Sequence, residues 1–226
     1  MNLEQLEQYQ AQLKISIDKI IREEAEMIVL NELAQDSLST KVAFYGGTAL
    51  RLVYNSPRFS EDIDLIVIKA FPFSEFKVFI TKISQQYNWA LSDIKDKRQT
   101  MFALLKITDD KLKHAFSLKI EIHQPSQEVK LQTRLNIIKS PVSIFNPLLL
   151  VPSLEELKNL KEKAIANRKK ARDIFDLWYI AQTLRLDFKL PPDAPQFEKR
   201  AFKNELQVFL PPKYYPVIEQ LYEQVK

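Results

Sequence analysis

The chain has 226 residues, of which 46% are apolar and 27% charged, with a net charge of +4. These proportions exclude a disordered or fibrous chain and suit one ordinary domain, or a catalytic domain with a helical appendage. The lack of cysteine removes disulfides, thiolate zinc sites and cysteine nucleophiles, in keeping with a reducing cytoplasm. The N-terminus has no basic start followed by an apolar core. The longest uncharged stretch, 140–154, carries Pro141, Pro147 and Pro152 and falls short of the roughly 18 residues that suggest a membrane span. A cytoplasmic chain with no membrane contact is expected. The pI near 9.0 permits a polyanionic partner without demanding one. Between Glu155 and Arg172 seven Lys or Arg stand against three Glu, a local excess equal to that of the whole chain.

In chain order, 3–34 is rich in Gln, Glu, Leu, Ile and Ala, without Gly or Pro, which predicts one long helix or two abutting ones. A short strand follows at 42–45, then Gly46-Gly47, a short helix over 48–54 and a turn at Asn55-Ser56-Pro57. The β-branched run 62–68 predicts a strand, with Ile63, Leu65 and Val67 toward the core. Pro72 opens a helix ending near Tyr87, and 101–108 and 116–123 read as strands joined by the polar turn Asp109-Asp110-Lys111. After the proline-punctuated stretch 140–153, Ser153 and Glu156 form a candidate capping box. The helix it starts runs to Leu184 with a break near 168–171, and a last helical stretch follows Pro191, Pro192 and Pro195. The expected fold is α/β (α+β): a mixed sheet flanked by helices over 1–150, then a helical domain over 151–226.

A chain of this length would ordinarily hold about 16 glycines. This one holds two, side by side just ahead of a helix, where free amides and a missing Cβ would let a triphosphate approach Gly46, Gly47 and Thr48. A tight turn with no ligand is the alternative. Strand alternation puts Asp62 and Asp64 on one face, where two carboxylates repel each other unless a cation lies between them. Mg²⁺, with Mn²⁺ as a substitute, suits such oxygen ligands completed by water and substrate phosphate. Glu121, in Lys119-Ile120-Glu121-Ile122-His123, is the candidate third acid, the other reading being a solvated strand face. His123 shares its face, either as a proton shuttle or as a structural residue.

Taken in order, Phe44-Tyr45-Gly46-Gly47-Thr48-Ala49-Leu50 and Arg58-Phe59-Ser60-Glu61-Asp62-Ile63-Asp64-Leu65 resemble the first motif of the nucleotidyltransferase superfamily, in its AbiEii/AbiGii toxin version. Lys161, Ala164, Arg168 and Arg172-Asp173-Ile174-Phe175-Asp176-Leu177 resemble that family's later motif. The resemblance spans roughly 40–180. It implies a nucleotidyltransferase domain followed by a helical domain, and a toxin that moves a nucleoside monophosphate from a nucleoside triphosphate to an acceptor. In the related MenT toxins that acceptor is the end of a transfer RNA, and a separately encoded antitoxin restrains such toxins. Asp62, Asp64 and Glu121 take the metal-binding and catalytic places, with Lys161 as a catalytic cation. Gly46, Gly47, Thr48, Arg58, Ser60, Arg168, Arg172, Asp173 and Asp176 take the nucleotide-binding places.

The residues alone support part of this. On an unbroken helix, Lys161, Arg168 and Arg172 would fall within roughly 40° of one another and form a cationic stripe for the triphosphate. Arg172 and Asp176, four apart, could pair. A solvated lysine-rich surface is the alternative. Two other functions use the same residues: a binding module holding RNA or protein without turnover, and transfer of the γ-phosphoryl group.

Overall fold

The computed structural model describes residues 1–125 and 131–225. Two abutting helices come first, α1 (Leu3–Leu13) and α2 (Ile17–Ala34). Lys14 separates them in a left-handed conformation (φ 55°), and its N–H donates to the Gln10 carbonyl. Strand β1 (Val42–Tyr45), helix α3 (Gly46–Leu52), strand β2 (Asp62–Val67) and helix α4 (Phe73–Gln86) fall close to the sequence expectations. Strands β3 (Ala90–Lys97), β4 (Thr100–Ile107) and β5 (Phe116–His123) complete a five-stranded sheet of order β1-β2-β5-β4-β3. Only the β2–β5 pair is parallel, so the sheet is mixed.

The sequence reading missed three strands. In β3, Ala-Leu-Ser-Asp-Ile-Lys-Asp-Lys lies on the sheet edge with no buried residue, so no apolar alternation marks it. Strands β6 (Thr133–Ile137) and β7 (Leu148–Pro152) form a separate antiparallel pair, with β7 beside β1. The uncharged stretch read as a connector therefore supplies a strand, Pro147 and Pro152 sitting at its limits, where a missing N–H does least harm.

Helix α5 (Leu154–Asn167) starts at Ser153, whose hydroxyl accepts from the Glu156 N–H at 3.3 Å. Only that half of the expected capping box forms, because the Ser153 N–H donates to the Gln132 carbonyl. Arg168 is extended (φ −151°, ψ 146°), which ends α5 before α6 (Ala171–Thr183) begins. Glu205 caps α6 from a distance by accepting from the Ala171 and Arg172 N–H groups. The last helical stretch is two helices, α7 (Lys199–Phe209) and α8 (Tyr215–Val225), parted by Pro211 and Pro212. No helix among the described residues is long and apolar enough to cross a membrane.

One apolar core lies between α2, α4 and the inner face of the sheet, where Ile63, Leu65, Ile120 and Ile122 are at most 1% exposed. Val67, the third expected core residue of β2, is only half-buried against it. A second core joins α6, α7 and α8 around Phe175, Phe202 and Leu206. Leu50 of α3, Leu157 of α5 and Ile180 of α6 form a smaller cluster that seats α5 against the sheet's other face. That contact forms one wall of the candidate site.

Candidate active site

The parallel register of β2 and β5 sets Asp62 opposite Lys119 and Asp64 opposite Glu121. With the intervening isoleucines in the core, all four polar side chains project from the same sheet face, as the alternation requires. Asp64 and Glu121 open into a cleft of about 480 Å³ between the sheet and α5, with Tyr45, Gly46 and His123 on the strand side and Lys161, Lys163 and Arg168 opposite. Asp62 stands beyond the rim, 3.1 Å from the Lys119 ammonium, which also lies 2.9 Å from Glu121. Lys119 was missed as a site residue, although the alternation that selects Glu121 also selects it.

Asp64 has no hydrogen bond or ion pair among the described residues. Burial, and then the neighbouring Asp62 charge, push its carboxyl up to about 6 against the pull of Lys161 and Lys119. Burial, with Asp64 and Glu121 adding to it, also drives the Tyr45 phenol up. Gly46 explains how the backbone comes so close: its φ is +84°, and a Cβ there would collide with the Asp64 carboxylate. Gly46→Ala is expected to cost about 1–3 kcal/mol in strain and to displace Asp64. Thermal unfolding checks this, and an unchanged midpoint would contradict it.

The other glycine serves packing. A Cβ on Gly47 would strike Arg58 and Ser60, and neither Gly47 nor Ser60 reaches the cleft. Thr48 is wholly buried and its hydroxyl donates to the Asp62 carbonyl, tying α3 to β2. Arg58, 2% exposed, donates to both carboxylate oxygens of Asp176 at 2.6 and 2.7 Å. The fully buried Asp173 and Asp176 lie 2.9 and 2.6 Å from the Lys161 ammonium. Arg168 closes the network with two bonds to Asp173, at 2.8 and 3.0 Å. Burial pushes both aspartates up, but Lys161 with Arg168 at Asp173, and Arg58 with Lys161 at Asp176, outweigh it and hold them below the usual carboxylate range.

Three cations thus share two carboxylates, leaving one net positive charge beside Asp64. Lys161 spends two of its three donors on the aspartates, and the third has no partner among the described residues. The break at 168–170 undoes the unbroken stripe: Lys161 and Arg168 reach the cleft, whereas the Arg172 guanidinium lies 5.9 Å from the Phe209 ring centre. The expected Arg172–Asp176 pair does not form, because Arg58 and Lys161 occupy the Asp176 carboxylate. No local spacing announces Arg58, 118 residues from its partner.

A family model described as "Nucleotidyl transferase AbiEii toxin, Type IV TA system" matches residues 28–213. The chain belongs to the AbiEii family of nucleotidyltransferase toxins. Among solved structures, JHP933 from Helicobacter pylori is similar at 20% identity and TM-score 0.58, over 93% of this chain and 91% of that one. A second H. pylori structure, whose description names a nucleotidyltransferase, is similar at 21% identity and TM-score 0.53, over 92% of each chain. At these identities the likeness establishes the nucleotidyltransferase-type fold. A comparison with curated proteins gives no match.

Among the described residues no group of three or more acidic or imidazole side chains is placed to hold a metal ion. Mg²⁺ does not need one: it is usually held by one or two carboxylates, with waters and substrate phosphates completing its octahedron. The donor set here fits that habit, with an unpartnered Asp64 beside two carboxylates that already share a cation, the Lys119 ammonium. A second cavity, about 330 Å³ and lined by Lys14, Arg51, Lys139 and Tyr214, shares no residue with the cleft, and its one acid, Glu23, is paired with Arg51. Of these two cavities, the carboxylate cleft is the one with an acid that has no ion-pair partner among the described residues.

The buried carboxyls should leave a signature in stability. Asp64 and Glu26 both have raised carboxyl pKa values; Glu26 is 1% exposed and raised by burial and then by Glu23, and its Oε1 has no hydrogen-bond partner among the described residues. A raised carboxyl binds protons more readily folded than unfolded, so each group costs stability above its folded pKa, and that cost is relieved as pH falls toward the unfolded value. Asp173, Asp176 and Glu61 have lowered values, so their contribution is lost only on further acidification. Without divalent metal the thermal midpoint is expected to rise from pH 7.5 to pH 5, by roughly 2–6 °C. A midpoint that falls over this interval would contradict the raised carboxyls.

Proposed function

We propose that this chain moves a nucleoside monophosphate from a metal-bound nucleoside triphosphate to an acceptor, with an RNA such as transfer RNA as the acceptor class. In this reading it works in the cytoplasm as a toxin held in check by a cognate antitoxin. The supporting observation is the placement of Asp64 and Glu121, in register on adjacent strands with Asp62 beside them, across a cleft from Lys161 and Arg168. One wall carries carboxylates for a cation, and the other a cationic cluster for a polyphosphate.

Asp64, with Asp62 or Glu121 as a second carboxylate, would hold Mg²⁺, which when bound supplies positive charge to the reacting phosphate and the departing pyrophosphate. Gly46 gives the nucleotide backbone-level access beside Asp64. Lys161, fixed by two aspartates, offers its remaining donor to a phosphate oxygen, and because its ammonium is already oriented, little reorganisation is needed as charge builds on the leaving group. Arg168, its side chain 51% exposed, can add a second contact while it stays on Asp173. The acceptor hydroxyl oxygen bonds to the α-phosphorus as the bond to pyrophosphate breaks, and its proton leaves to solvent. Arg58, Asp173 and Asp176 act from behind, by holding Lys161 in place.

The purified chain, incubated with triphosphates labelled at the α- or the γ-phosphate and with total cellular RNA, tests this reading. Label from the α-phosphate should enter a macromolecule and γ-label should not. Transfer of γ-label would instead establish phosphoryl transfer, and salt-sensitive RNA binding with no transfer would establish a binding module.

A further inference from the structure

Lys119 makes the least expected contact of the site. Its ammonium lies 3.1 Å from Asp62 and 2.9 Å from Glu121, bridging two strands at the position a cation shared by those carboxylates would take. It is not trapped: its side chain is 31% exposed, those of Asp62 and Glu121 are 25% and 30% exposed, and lysine carries its charge on a flexible four-carbon stem. Asp64, between them on the same face, has no such partner.

We infer that Lys119 is a displaceable internal counter-ion that occupies the carboxylate site in the nucleotide-free protein and must yield for a divalent cation to bind. The inference rests on the metal-dependent reading above and deepens it. Lys119 keeps Asp62 and Glu121 in position while no metal is bound, which would otherwise cost stability through carboxylate repulsion. It also sets a threshold, because a metal arriving alone must displace the ammonium from both carboxylates. A metal arriving on a triphosphate brings phosphate oxygens of its own and offers the released ammonium a new anionic partner. Metal uptake is thereby coupled to nucleotide arrival, with Lys119 as a positioning residue.

The test titrates Mn²⁺ into the full-length, nucleotide-free protein by calorimetry. Lys119→Met should bind Mn²⁺ about tenfold more tightly than the wild type, a loss of competition between close charges, while Lys119→Arg, which keeps the cation, should stay near the wild-type affinity. Mn²⁺ should also raise the thermal midpoint of Lys119→Met more than that of the wild type. A merely structural lysine would give the opposite sign: equal or weaker Mn²⁺ binding in Lys119→Met overturns the inference. If that variant does not fold, the wild type decides, since the NMR signal of the Lys119 ammonium should shift when Mg²⁺ and a non-hydrolysable triphosphate are added together, and an unmoved signal overturns the inference. Unchanged Mn²⁺ affinity with transfer intact in the wild type and lost in Asp64→Asn sinks this inference alone. Transfer that survives Asp64→Asn sinks the function itself.

Discussion

Asp64→Asn is expected to abolish nucleotide transfer, by about 10³-fold or more, while leaving the chain folded and more stable in the absence of metal. The first effect follows from position: Asp64 is the acid that both lines the cleft and lacks a partner, so it has the greatest capacity to bind a cation carrying phosphates. Losing several kcal/mol of charge stabilisation in the transition state costs a rate factor of that order. The second effect follows from the same electrostatics with the opposite sign. At pH 7.5 the carboxylate is ionised against burial and the Asp62 charge, a cost the neutral amide escapes. Steady-state transfer and thermal unfolding on the same preparation check both halves. A variant that loses activity and stability together would show that Asp64 is structural.

The largest effect on stability is expected at Asp176. Its carboxylate is fully buried and holds both Arg58 and Lys161, so Asp176→Ala strips Arg58 of its carboxylate and leaves Lys161 to share Asp173 with Arg168. Removing one member of a buried ion network typically costs about 3–5 kcal/mol, because the remaining charge keeps its desolvation penalty without its partner. For a chain of this size the thermal midpoint should fall by roughly 6–20 °C. Arg172→Ala supplies the contrast. Four-residue spacing makes Arg172 the natural partner of Asp176, yet the guanidinium lies over Phe209, so its removal should cost under about 1 kcal/mol. Equal losses in the two variants would mean that the spacing rule, and not the observed network, describes the protein.

These two positions also show where sequence reasoning reaches and where it stops. Strand alternation placed Asp62, Asp64 and Glu121 on the face they occupy, because a period of two is a local property that core burial enforces at Ile63, Leu65, Ile120 and Ile122. It could equally have named Lys119, which obeys the same period, but a lysine among acids reads as a solvated pair until the strand register sets it beside Asp62. The Arg58–Asp176 clamp had no local trace, since it depends on α6 meeting the loop before β2. The cationic stripe failed for a definable reason: three consecutive cations, Arg168-Lys169-Lys170, sit in an extended segment that resets the helical phase before Arg172. Strand β3 escaped because an exposed edge strand has no buried face to pattern.

The most direct measurement is the position of Mn²⁺ and a non-hydrolysable nucleoside triphosphate analogue in crystals of the wild-type chain, located by anomalous scattering. The account predicts a metal peak bound by carboxylate oxygens of Asp62 and Asp64, with the polyphosphate running toward Lys161 and Arg168. A triphosphate bound elsewhere, or bound in the cleft with Asp62 still paired to Lys119 and no metal on Asp64, would contradict it.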